Sequence, residues 1–192
     1  MQQRKIWVSS DLHLNHTKMA EVRGIESVKK MNELIVTRWN SVVAEIDKVW
    51  ILGDFGLGPK VPLRMLADRL HGEKHLVRGN HDLRNGIKPI NFGRVMTVHD
   101  EYAVVTAVGE NWLLIHDIDT IKTLMNPNLL HGVRGIIVGH THSGDPENYT
   151  AGVPRTYNGV QAYCVTVELH RYRPLLLDTV CKKIMELQKG TK

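Results

Sequence analysis

Apolar and polar positions along this chain change their period several times, and each change marks an element. Ile6-Trp7-Val8 is a short β-favouring run that passes into the polar Ser9-Ser10-Asp11, so 5–10 reads as a strand delivering its last residues to a loop. Over 27–46, Val28, Met31, Leu34, Ile35, Val42 and Ile46 recur at helical intervals behind an N-cap at Ser27, which predicts a helix covering one face of a sheet. The continuous apolar run at 49–52 stops at Gly53-Asp54, the pattern of a strand buried on both faces. A loop at 56–59 leads to a helix over 62–70, with Pro62 in its first turn and Gly72 beyond its end. A third strand follows at 75–78. After a loop containing glycine and proline at 85–93, strands come in series at 95–98, 102–108 and 112–115, with Gly109-Glu110 as a hairpin turn. Another buried strand occupies 135–138, an irregular loop 143–159, a strand 162–169 and a terminal helix 179–188. Strand–helix alternation followed by meandering strands predicts an α/β sandwich with more than one sheet and helices outside. The 192 residues show no repeat, low-complexity tract or linker and are expected to form one domain, 1–192.

Composition narrows the class. With 42% hydrophobic and 23% charged residues the chain is globular, not fibrous or disordered. No apolar run approaches the roughly 20 residues of a membrane span, and Arg4-Lys5 passes at once into strand, which leaves no room for a signal peptide. Cys164 and Cys181 lack CxxC spacing and are expected to be reduced and packed, consistent with a cytoplasmic location. A net charge of +5 favours phosphorylated substrates by long-range steering. The basic residues are scattered, apart from Arg171, Arg173 and Lys182-Lys183, so no nucleic-acid stripe forms.

The chemistry lies where strands end. Five predicted strands terminate in side chains that ligate hard or borderline cations: Asp11 and His13, then Asp54, then Asn80 and His81, then His116, then His140 and His142. Ligand sites in α/β sheets lie beyond the carboxyl ends of the strands, so these residues are expected to converge there. Two-residue spacing in Asp11-Leu12-His13 and His140-Thr141-His142 puts both side chains of each pair on one side of extended backbone. Gly53, Gly79 and Gly139 precede ligand positions and leave room for a metal. Imidazole and carboxylate without thiolate suit Mn²⁺, Fe, Zn²⁺, Co²⁺ or Ni²⁺. So many candidate ligands exceed one tetrahedral site and suffice for two ions sharing a carboxylate. Two cations about 4 Å apart lower the pKa of a bridging water and neutralise charge during in-line displacement at phosphorus.

Asp11-Leu12-His13, Gly53-Asp54, Gly79-Asn80-His81-Asp82, the isolated His116 and Gly139-His140-Thr141-His142, in that order, resemble the motifs of the calcineurin-like metallophosphoesterase superfamily, as a small bacterial or phage-like member. The resemblance implies a four-layer αββα sandwich, two mixed β-sheets flanked by helices, with the metal site at the C-terminal ends of the strands. It implies a dinuclear-metal-dependent phosphoesterase, with manganese the first choice of ion. Asp11, His13 and His142 would bind one ion, Asn80, His116 and His140 the other, and Asp54 would bridge them. His81 matches the family's catalytic histidine, the general acid that protonates the leaving group while a metal-bridging hydroxide attacks.

Where many relatives carry a second acid that pairs with the catalytic histidine, followed by an arginine, this chain has Leu57. Asp82 or Asp117 is therefore expected to orient His81, and His16 and Arg84 are the candidates for contacting substrate phosphate, ahead of Arg78 and Arg155. Segments 84–94 and 143–159 are expected to frame the pocket. His71, His75, His99, His131 and His170 have no motif around them and read as loop or surface residues, while Trp50 and Trp112 read as core. The expected substrate is a small phosphomonoester or phosphodiester, such as a nucleotide. A metal-dependent nuclease and a non-catalytic metal-binding scaffold are the alternatives. No membrane partner is expected, and the pattern does not set the oligomeric state.

Overall fold

A computed structural model describes residues 3–124, 128–142 and 156–189. In chain order these form β1 (Ile6–Ser9), α1 (Thr17–Val22), α2 (Val28–Asn40), β2 (Lys48–Leu52), α3 (Lys60–Arg69), β3 (Glu73–Val77), α4 (Asn80–Arg84), α5 (Pro89–Phe92) and β4 (Met96–His99). There follow β5 (Tyr102–Ala107), β6 (Glu110–Ile115), α6 (Thr120–Thr123), β7 (Gly135–Val138), β8 (Thr156–Tyr157), β9 (Val160–Cys164), a 3-10 turn at Val167–His170, β10 (Leu175–Leu176) and α7 (Leu177–Lys189).

The strands form two mixed sheets. The first has the order β10-β1-β2-β3-β4, with β1 to β4 parallel and β10 antiparallel at the edge. The second has the order β5-β6-β7-β9-β8, with β6, β7 and β9 parallel and an antiparallel strand at each side. Burial separates three apolar layers. Trp7, Val49, Ile51 and Leu76 of the first sheet pack against Met31, Ile35 and Trp39 of α2 and Leu63 and Leu66 of α3. On the opposite face, Val8, Trp50, Leu52 and Val77 meet Trp112, Leu114 and Ile137 of the second sheet. Leu113, Ile115, Ile136 and Val138 face outward from that sheet and are covered by Ile118, Ile121, Leu124 and Leu129 around α6. The layers are therefore helix, sheet, sheet, helix. The last helix, α7, joins the middle layer through Leu177, Val180, Cys181 and Ile184 and touches strands of both sheets.

Several differences from the sequence pattern have local causes. The helix predicted over 27–46 starts as expected, with the Ser27 hydroxyl accepting the Lys30 amide, but α2 stops at Asn40. Beyond it Asp47 gathers the Ala44 amide, the Lys5 amide and the Trp7 indole N–H, which holds the chain in a turn. The Gly-Asn-His-Asp motif opens a short helix, α4, and Pro89 starts α5 inside the expected loop. The hairpin turn falls at Val108-Gly109, one residue earlier than predicted, because both carry positive φ (46° and 78°) and Ala107 pairs with Glu110. The predicted strand 162–169 ends at Cys164 and continues as the 3-10 turn. His75 is not a loop or surface residue: it lies buried in β3, its ring stacked on His99 of β4 at 5.2 Å and tilted against Trp50. Trp50 and Trp112 are buried, as are the free thiols Cys164 and Cys181. Among the described residues no helix is long and apolar enough to cross a membrane.

Asp47, 2% exposed, ties the entry to β2 to the start of β1 through three N–H donors. Asp47→Ala leaves these donors buried or poorly paired, and chemical denaturation should show a loss of about 1–3 kcal/mol. The backbone and indole donors hold the Asp47 carboxyl low despite its burial. Its contribution is therefore present above the unfolded carboxyl pKa near 4 and should fade as the pH falls through the lower folded value.

Candidate metal centre

Parallel strands deliver their carboxyl ends to one side of each sheet, and the two sheets bring those ends together. Asp11 and His13 follow β1, Asp54 follows β2, Asn80 and His81 follow β3, His116 follows β6, and His140 and His142 follow β7. The first loop runs beside the second: the Asp11 amide donates to the Gly53 carbonyl at 3.1 Å, His13 to Asp54 at 2.9 Å and Leu14 to Phe55 at 3.0 Å. Across the sheets Ser10 forms a single parallel bridge with Thr166. Within these loops Asp11, His13, Asp54 and His140 all carry positive φ, from 49° to 69°. Side chains rarely adopt that backbone, and here the surrounding hydrogen bonds impose it.

The side chains form two joined sets of donors. His13 Nε2 lies 3.2 Å from His142 Nε2 and 3.9 Å from Asp11 Oδ1, and His142 Nε2 is 3.6 Å from the same oxygen. In the other set, His116 Nε2 lies 3.0 Å from Asn80 Oδ1 and 3.2 Å from His140 Nδ1. Asp54 Oδ2 stands between them, 3.6 Å from His13 Nε2 and 3.4 Å from His116 Nε2. Asp11 is also close enough to Asp54 and His116 to form a three-residue group with them. His116 Nδ1 donates to the Leu52 carbonyl at 2.8 Å, which fixes the tautomer and leaves Nε2 facing the site.

Whether this arrangement suits a metal is decided by an oxygen without a partner. Asp11 Oδ2 accepts the His140 amide at 2.9 Å and the Thr166 hydroxyl at 3.2 Å, with the Ser10 hydroxyl against it. Asp11 Oδ1, equally buried, has no hydrogen-bond partner among the described residues and faces His13 and His142. An orphaned carboxylate oxygen beside two imidazole nitrogens fits a divalent cation of the borderline class. The protonation tendencies agree. Burial pushes His116 down, but Asp11 and Asp54 overcome it and raise it to about 9, a proton standing where the carboxylates demand positive charge. Burial pushes His13 to about 2, against the pull of Asp54, so it offers a neutral nitrogen. Burial raises the Asp54 carboxyl, yet His116, His13 and the His81 amide hold it well below the usual carboxylate range.

Gly79 and Gly139 are there for space. A Cβ at 79 would meet Asp54 N and the His116 ring at 2.8 Å, and one at 139 would meet Asp11 Oδ2 at 2.6 Å and Ser10 Cβ at 2.7 Å.

His81 sits beside this cluster. Its amide donates to Asp54 Oδ1 at 3.0 Å, and its ring stands edge-on to His13 at 5.3 Å and tilted to His16 at 5.6 Å. His16 stacks on His13 at 5.2 Å, and its buried Nδ1 has no partner among the described residues. Arg84 is exposed at the end of α4, three residues after His81. Arg78 is engaged with Asp100, and Arg155, like residues 143–155 of the expected pocket rim, lies outside the described residues.

Neither acid expected to orient His81 does so. Asp82 is fully buried; its Oδ2 accepts the amides of Asp54 and Gly79 and its Oδ1 that of Phe55, at 2.7–2.9 Å. It braces the loop that carries Asp54, because it falls on the inward side of α4 while His81 faces the site. Asp117 lies 3.9 Å from His140 Nε2 and accepts the Asp119 amide. Four residues around the site carried no signal in the sequence: Ser10 and Thr166, which hold Asp11, and Arg23 and Glu168, which meet beside His142. Ser10 at least precedes a candidate ligand directly, whereas the other three are distant in sequence from the motif they touch.

Residues 5–158 match the calcineurin-like phosphoesterase superfamily domain. An uncharacterized protein of Methanocaldococcus jannaschii is 31% identical over 188 residues, covering 96% of this chain and 93% of that protein. The gene 66 protein of Mycobacterium phage L5 is 33% identical over 140 residues, covering 70% of this chain and 58% of the phage protein. Among solved structures, a protein from Aquifex aeolicus superposes with a TM-score of 0.72 at 21% identity, covering 94% of this chain and all of the other, a likeness of fold.

With both Asp82 oxygens accepting amides, Asp82→Asn must turn an NH₂ toward at least one buried N–H. Burial pushes this carboxyl up to about 7, against the pull of the Gly79 amide. Metal-stripped Asp82→Asn protein should lose about 1–3 kcal/mol in a denaturant titration. A group that acted only on His81 would leave that stability unchanged.

Proposed function

Because the chain belongs to the calcineurin-like phosphoesterase superfamily, we propose that it hydrolyses small phosphomonoesters or phosphodiesters, nucleotides among them, with two divalent cations. Asp11, His13 and His142 hold one cation, and Asn80, His116 and His140 the other. The observation that supports this reading is the position of Asp54 Oδ2 between the two donor sets, 3.6 Å from one histidine nitrogen and 3.4 Å from the other. When bound, the cations supply an activated water and neutralise charge on the phosphoryl oxygens; manganese is the first ion to try.

The protein's own groups do the rest. Asp54 keeps its carboxylate free of a proton beside His116 and His13, so it stays available to both sets. His81, whose backbone amide donates to Asp54 Oδ1, is the group that protonates the departing oxygen. His16, its ring beside those of His13 and His81, takes a phosphoryl oxygen, and Arg84 approaches the substrate from the end of α4. The net charge of +5 steers anionic substrates toward the molecule.

Metal-stripped protein supplied with Mn²⁺, Zn²⁺ or Co²⁺ should release product from an aryl phosphate monoester or diester. No metal-dependent release from either class would overturn the reading. His81→Ala should lower turnover by about 10²–10⁴-fold while metal affinity, followed by calorimetry, stays that of the wild type. Asp54→Ala should abolish both.

A further inference from the structure

We infer that Arg23 and Glu168 form a positioning pair for one half of the metal centre only, the half made by Asp11, His13 and His142. The inference rests on the reading of those three residues as metal ligands.

Glu168 lies in the 3-10 turn after β9, and Arg23 follows α1, so the pair joins segments 145 residues apart. Their side chains are 16% and 2% exposed. Glu168 Oε1 accepts Arg23 Nε at 2.7 Å and lies 2.5 Å from Nη2, and it lies 3.2 Å from His142 Nδ1. With Nδ1 engaged in this way, His142 is left to present Nε2 toward Asp11 Oδ1 and His13 Nε2. A carboxylate on the far nitrogen of a metal-binding imidazole fixes its tautomer and ring plane and raises its basicity.

The guanidinium reaches the other two ligands through the backbone. Arg23 Nη2 donates to the Asp11 carbonyl at 2.7 Å and Nη1 to the Leu12 carbonyl at 3.0 Å, while the face of the group lies over Tyr172 at 5.6 Å. These are the carbonyls of the loop in which Asp11 and His13 carry positive φ. One fork thus grips the strained loop with some donors and the orienter of His142 with others. Lysine could not replace it, because an ammonium lacks the planar geometry needed to serve three oxygens at once.

The second half of the centre uses different supports. His116 is oriented by the Leu52 carbonyl, His140 by the Asp11 side chain through its amide, and Asn80 by its place at the start of α4. None of these contacts is made by Arg23 or Glu168, and the Asp11 oxygen that reaches His140 is braced by the Ser10 and Thr166 hydroxyls, so loss of the pair should weaken one metal position and spare the other.

Cobalt titration of metal-stripped protein, followed by visible absorption and calorimetry, tests this. Wild type should take up two ions. Glu168→Gln, which keeps the oxygen shared by Arg23 and His142 but removes its negative charge, should bind one ion with affinity reduced about 10–100-fold and the other with wild-type affinity. Arg23→Lys should do the same. His142→Ala marks the affected position, and its loss should not add to that of Glu168→Gln at that position. Both affinities unchanged, or both lowered equally, in a variant that melts cooperatively would overturn the inference. A lowered melting temperature of the metal-free variants with unchanged cobalt affinity would likewise overturn it, leaving the pair a purely structural ion pair. Failure of the wild type to bind cobalt at all would count against the metal-centre reading itself, which separates the two claims.

Discussion

Two carboxylates withdrawn from water govern this molecule. Asp11 and Asp54 are 0% and 1% exposed, and each turns one oxygen toward His13. Bare burial of two negative charges costs several kcal/mol each unless positive charge or hydrogen bonds compensate it. The compensation at Asp11 Oδ2 comes from Ser10, Thr166 and the His140 amide, and at Asp54 Oδ1 from the His81 amide. Asp11 Oδ1 is left without a partner among the described residues, and Asp54 Oδ2 lies between His13 and His116. His116 responds by favouring its charged form even in a dry setting. The strained loops, the glycines without room for a side chain and the carboxyl ends of five strands all serve to hold these two oxygens where a cation can neutralise them.

Much of this was legible in the sequence because the relevant signals are local. Asp11 and His13, or His140 and His142, share a loop, and their spacing alone suggests a common target. The buried apolar runs before Asp54 and His140 announced strands with covers on both faces, and the structure has helices on the outer side of each sheet. What escaped detection is non-local. Thr166 meets Asp11 across 155 residues, and Glu168 meets His142 only because β9 is followed by a turn where the pattern suggested more strand. Asp82 braces backbone amides instead of His81 for a related reason. Neighbours on a helix diverge by about 100°, so on α4 the acid turns inward while His81 stays on the side of the site.

The fold assigns different tolerances to its parts. The helices over the first sheet meet it through a broad apolar layer that includes Trp39, Met31 and Leu63, a surface that tolerates volume-conserving apolar exchanges. The loops at the strand ends have no such slack. Residues there hold left-handed backbone, buried polar atoms and close approaches to glycine within a few ångströms of one another. Strain of this kind persists only when the surroundings over-determine it.

The candidate ligands are divided between the sheets: Asp11, His13, Asp54 and Asn80 hang from the first, and His116, His140 and His142 from the second. Beyond the apolar layer between them, the described protein joins the two at this end by small polar links such as the Ser10–Thr166 bridge. A bound cation would act there as a rivet through both halves. Resistance to unfolding would then follow the supply of metal, increasing by about 2.7 kcal/mol at a free concentration one hundred times the dissociation constant. A cell starved of the ion would face a less durable protein as well as an idle one.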